Sequence, residues 1–170
     1  MEIQTIDSFA RYFESIRGRT RRVIDAIPSD RIEWTWREGK WTLGDLVRHL
    51  AASERWMFAE NVAGRPSRYD GCGRELADGY DAVLAYLDRM HEESMAIFTG
   101  LGDARLTETC TTPGGAEIRV WKWLRAMIEH EVHHRGQIYL GLAMLEVDTP
   151  PLYGLTAEQV RERSVGGSGS

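Results

Sequence analysis

Apolar residues recur at intervals of three and four along most of this chain, and four long stretches keep that helical rhythm. The first runs from about Asp7 to Ala26, puts Phe9, Phe13, Ile16 and Val23 on one stripe, and stops before Pro28. The second opens at Thr42, with Asp45 three residues on as in a capping box. It carries Leu43, Val47, Leu50 and Met57 to about Val62, where Ala63-Gly64-Arg65-Pro66 ends it. The third spans about Asp78 to Thr99 on Val83, Leu87, Met90, Ser94 and Ile97. The fourth runs from about Val120 to Val147 on Val120, Leu124, Met127, Ile138, Leu142 and Leu145, and Pro150-Pro151 closes it. Between the third and fourth, Leu106 to Arg119 is rich in Thr around Pro113-Gly114-Gly115, which predicts an extended excursion or a short hairpin. Thr156 with Gln159 predicts the cap of a last short helix. This pattern makes the expected fold all-α, a four-helix bundle. No repeat or linker divides it, so residues 1–164 read as one bundle domain and 165–170 as a flexible tail or a scar of cloning.

Composition narrows the chemistry. The net charge of −5 speaks against a phosphate-binding surface, and Arg19-Thr20-Arg21-Arg22 is the only basic cluster, so no nucleic-acid partner is expected. No apolar run approaches a membrane span, and the N-terminus lacks a signal pattern; a cytoplasmic protein without a membrane partner is expected. Cys72 and Cys110 form no CxxC, so neither a disulfide framework nor a cysteine zinc site is expected.

The chain has five histidines: His49, His91, His130, His133 and His134. At about 100° per residue, His134 falls within the fourth stripe and His130 on its flank toward the same side, whereas His133 points to solvent. His49 flanks the stripe of the second helix, beside Ser53 and Trp56. The expected site lies in the groove between these helices, with His49, His130 and His134 as ligands of a divalent metal ion. Imidazole suits zinc, nickel, copper and iron alike, so the ligand set does not name the metal; zinc or nickel is expected, with iron or manganese admissible. His91 is expected at the surface.

His130-Glu131-Val132-His133-His134 also spells H-E-x-x-H, the zinc-protease string. A protease needs a third ligand downstream, and no histidine follows His134. Glu131-x-x-His134 matches half of a di-iron motif, but Asp88-x-x-His91 makes a poor other half because it faces largely outward. Glu131 falls near the middle of the apolar stripe. It is expected either to serve the site, as orienting group or proton acceptor, or to pair with an arginine of another helix. Trp56 is a candidate pocket wall and Gln137 a candidate polar group at the cavity edge, with Gly136 permitting close helix contact. Trp121 and Trp123 are candidates for an exposed dimer surface.

Trp41-Thr42-Leu43-Gly44-Asp45-Leu46-Val47-Arg48-His49-Leu50, together with His130-Glu131-Val132-His133-His134-Arg135-Gly136-Gln137, resembles the DinB/YfiT-like superfamily of metal-binding helical bundles. The ending Pro150-Pro151-Leu152-Tyr153-Gly154-Leu155-Thr156 is similar to some members, and the resemblance covers nearly the whole chain up to the tail. It implies a four-helix bundle, often a homodimer, with a three-histidine metal site that maps onto His49, His130 and His134. Members include bacillithiol-using thiol transferases and mycothiol-dependent isomerases. The resemblance therefore implies a thiol S-transferase with a low-molecular-weight thiol as co-substrate, acting on a small electrophile. Metal-assisted hydrolysis, or non-catalytic binding of a metal or small molecule, is the alternative.

Overall fold

A computed structural model describes residues 2–166. Helix α1, Ile6–Ile24, starts where the Thr5 side chain accepts a hydrogen bond from the Ser8 amide. Helix α2, Leu43–Ser53, has the capping box the sequence predicts: Thr42 and Asp45 each accept from the other's backbone N–H. It does not continue regularly to Val62. A π-helical segment, Glu54–Ala59, intervenes before a final α-turn, α3, Glu60–Val62. Helix α4 spans Tyr80–Thr99 and helix α5 Val120–Met144. The excursion before α5 is a hairpin, β1 Thr109–Thr111 and β2 Glu117–Arg119, antiparallel with Cys110 opposite Ile118. Helix α6, Ala157–Gly166, opens on the reciprocal Thr156–Gln159 cap. It takes in the first two residues of the segment read as a tail, and residues 167–170 lie outside the described residues.

The four long elements form a bundle in which α2 packs on α4 and α5, and α1 packs on the same two helices. The two helices that come first in the chain therefore face each other across one diagonal, and α4 and α5 across the other. The core has two apolar blocks. One joins Val23, Val47, Leu50, Leu87, Ile138 and Leu142; the other joins Phe9, Phe13, Phe58, Phe98, Leu124 and Met127. Between them lies a buried polar layer containing Arg17 and Thr20 of α1, Glu54, Ser94 of α4, and Glu131 and Arg135 of α5.

Packing against two glycines is close. A Cβ on Gly44 would meet the Ile32 carbonyl oxygen at 3.0 Å, and one on Gly141 would meet Leu43 at 2.8 Å. Gly136 does not have the packing role expected of it: it is exposed, with open space where a Cβ would go. No helix among the described residues is long and apolar enough to cross a membrane.

Candidate metal centre

Helix periodicity brings the site together. His130 and His134 sit one turn apart on α5, and His49 comes from α2, which packs against it. The Nε2 atom of His130 lies 2.9 Å from that of His49 and 3.1 Å from that of His134. Two imidazoles on one ion, with bonds of about 2.0–2.1 Å, stand roughly 3 Å apart.

The outer nitrogens are held. The Nδ1–H of His134 donates to Gln137 Oε1 at 2.7 Å, and His49 Nδ1 lies 2.8 Å from the Tyr69 hydroxyl. An amide oxygen only accepts, so His134 carries its proton on Nδ1 and presents the Nε2 lone pair; when the Tyr69 hydroxyl accepts from His49 Nδ1–H, the His49 Nε2 is free in the same way. His130 can supply a proton to one of them only. Three convergent Nε2 atoms with so few protons among them make a site suited to a cation, and the donor set fits a divalent metal.

The electrostatics agree. Burial, reinforced by His134, pushes the His49 imidazole down to about 4. Burial, then His134, His49 and His133, push His130 down to about 3. Burial also lowers His134, against the pull of Gln137. Neutral imidazole is the form that binds metal. No further His, Cys, Asp or Glu joins the three among the described residues, so a bound ion would keep positions open.

Other expected residues stand elsewhere. Glu131 is 2% exposed and turned toward α1, where its Oε2 lies 2.8 Å from Arg17. Arg17 also pairs with Glu54, whose other oxygen lies 2.9 Å from His91 Nδ1. Of the two readings of Glu131, the structure shows the pairing with an arginine of another helix. In that enclosure burial pushes the Glu131 carboxyl up, against the pull of Arg17. The carboxylate a zinc protease would need at its metal is thus committed to the bundle core. His91 is not a surface residue: it turns inward onto Glu54 and packs edge-on against Phe13 at 5.3 Å. His133 is exposed, as its direction on the helix predicts.

Trp56 is clamped between the guanidinium groups of Arg55 and Arg68, 4.1 and 4.7 Å from its ring centre. The indole beside the ligands is Trp41, 4.7 Å from His49 and 6.0 Å from His134 between ring centres. Phe58 flanks His130 at 5.7 Å. Gln137 stands at the cavity edge as expected, since it lines a groove of about 620 Å³ that Trp41 also lines. Trp121 and Trp123 are half-buried; Trp123 packs on Phe58 and Trp121 lies under Lys122 and Arg125.

Sequence reasoning missed Tyr69, Trp41 and Arg48. Arg48 is fully buried and binds Glu33 at 2.8 Å, Asp45 at 2.7 Å, and the carbonyls of Cys72 and Ala77 at 2.9 Å each. It thereby ties to α2 the irregular segment that carries Tyr69. An arginine one residue before a candidate ligand, on a face otherwise apolar, is the signal that could have raised it. Cys72 is an ordinary buried thiol, pushed up chiefly by its burial.

The family model of the DinB superfamily matches residues 12–138. The chain is 23% identical over 163 residues to YrdA of Bacillus subtilis, covering 92% of each protein. Its fold is similar to that of a DinB-like protein from Bacillus cereus, with a TM-score of 0.73, 16% identity, and 87% of this chain and 97% of the other covered. It is also similar to YfiT from Bacillus subtilis, a probable metal-dependent hydrolase with an unusual four-helix bundle topology. There the TM-score is 0.66 and the identity 19%, over 84% of this chain and 89% of the other. With the model spanning more than half its length, the chain belongs to the DinB superfamily.

Proposed function

We propose that this protein is a metal-dependent enzyme that transfers a small thiol to an electrophile, with His49, His130 and His134 holding one divalent ion. The observation that carries this is the convergence of three neutral Nε2 atoms beside a groove, with no fourth ligand among the described residues. When bound, the ion supplies positive charge that favours a thiolate at neutral pH. Gln137 fixes the tautomer of His134, and Tyr69 holds the outer nitrogen of His49. Trp41 and Phe58 cover parts of the imidazole faces and limit water there. The thiol's S–H bond breaks and its proton passes to solvent, since Glu131 is held by Arg17. The sulfur then forms a bond to carbon as the leaving group departs.

The two free, buried cysteines suit a reducing compartment, and the reading includes a cytoplasmic location and a homodimer. Hydrolysis is the second reading, favoured by the likeness to YfiT.

The test begins with metal content by mass spectrometry on untagged protein. About one ion per chain is expected, lost in His49→Ala, His130→Ala and His134→Ala and kept in His91→Ala and His133→Ala. Release of metal by His133→Ala, or a folded wild type that takes up none, would overturn the assignment. The loaded protein is then offered glutathione or cysteine with an aryl halide, and separately an aryl ester. Thiol consumption supports transfer; metal-dependent ester cleavage without it supports hydrolysis.

A further inference from the structure

The groove beside the histidines has an unusual wall. The loop leading into α2 contributes three indoles to it, Trp34, Trp36 and Trp41, and α5 contributes Leu140 and Gln137. Trp36 is 56% exposed and Leu140 62%, so broad apolar surfaces stand open to solvent. At about 620 Å³ the groove has the size of a small-molecule site. Lys40 is the one charged residue in its wall, and one of only two lysines in the chain. Nearby carboxylates are engaged elsewhere: Glu33 with Arg48, and Asp30 with Arg31. Glu38 is close in sequence but is not part of the wall.

Indole faces take flat, unsaturated groups, and a lone ammonium beside them takes an anion. A chain of net charge −5 offers an anion little general attraction, so the preference must be local. Gln137 joins the two regions, because it lines the groove and also holds His134. We propose that this groove binds a flat aromatic carboxylic acid, with its ring among the indoles and its carboxylate at Lys40. Its role as the electrophile's seat rests on the metal-dependent reading above; the binding itself does not.

The test uses metal-free protein, so that no carboxylate can bind through an ion. Calorimetric titrations compare naphthoate with the neutral naphthalenemethanol and the cationic naphthylmethylamine. Naphthoate should bind up to about fivefold tighter than the alcohol, and the amine weakest, since one exposed charge contact contributes up to about 1 kcal/mol. Lys40→Gln should bring acid and alcohol level, and Trp36→Ala should weaken all three. Both side chains are exposed, so neither substitution endangers the fold. Equal binding of acid and alcohol by the wild type, or a preference that survives Lys40→Gln, would overturn the proposal. So would an absence of binding, including one accompanied by a dimer in light scattering that Trp36→Ala dissolves. If naphthoate binds as expected but the wild type takes up no metal, the groove stands and the metal reading falls. The converse result separates them the other way.

Discussion

Gln137 shows how much one side chain can decide. It is exposed, yet its amide oxygen takes the Nδ1 proton of His134 and so leaves Nε2 aimed at the other two imidazoles. Gln137→Leu keeps the approximate size and removes the acceptor. Metal affinity should fall about 10- to 100-fold, the usual cost of losing a group that orients a ligand histidine. Competition with a chromogenic chelator would measure it, and an unchanged affinity would show that the tautomer needs no such help. The convergence of His49, His130 and His134 is legible in the sequence because spacing on a helix fixes direction. Spacing could not settle the role of Glu131. A residue just after His130 is rotated by about 100°, which places it inside the bundle without saying which neighbour it meets. Here that neighbour is Arg17. His91 was misplaced for a related reason: it sits at the edge of its stripe, and only the buried Glu54 draws it inward. Loop residues carry no period at all, which is why Trp41 and Tyr69 went unnoticed and Trp56 was favoured.

At the scale of elements, the π-helical segment Glu54–Ala59 matters most. It changes the rotation per residue in the middle of an otherwise continuous helix, and such segments recur at functional sites. Here it carries Glu54 into the polar layer and Phe58 against His130. No Pro or Gly marks it, so an amphipathic pattern alone reads straight through. The layer it completes hangs on Arg17, which stands between Glu54 and Glu131. Arg17→Met should cost about 3–5 kcal/mol, because buried Glu131 loses its counter-charge and Glu54 keeps only His91. Urea unfolding would measure this, and a loss below about 1 kcal/mol would mean that the carboxylates take up protons or water with ease. His91 adds a pH dependence. Burial opposes its charged form, but the hydrogen bond and charge of Glu54 outweigh that and raise its pKa. Its contribution is therefore complete below the unfolded value of about 6.5 and is lost as pH rises through the folded value. His49 and His130, shifted down, act in the opposite sense. The melting temperature of wild type minus that of His91→Gln isolates the effect, and this difference should shrink as pH rises above about 6.5. A constant difference would remove His91 from the account.

For the whole molecule, four amphipathic stretches were enough to predict a bundle, but not the order in which its helices pack. Periodicity says that a helix has an inner face; it does not say which helix that face meets. In this chain the first and second long helices stand across one diagonal and the third and fourth across the other, so α2 meets both α4 and α5. That arrangement has a kinetic consequence. His49 and His130 are 81 residues apart, so their meeting closes a long loop and requires the chain from α2 to α5 to be in place. If the three histidines meet late, an ion added during refolding would find no finished site to bind. Metal should slow unfolding and leave the folding rate nearly unchanged, as for any contact absent from the transition state. Stopped-flow refolding and unfolding with and without zinc would show which limb moves. Faster folding with zinc would mean that the two histidine helices come together early, ahead of the rest of the bundle.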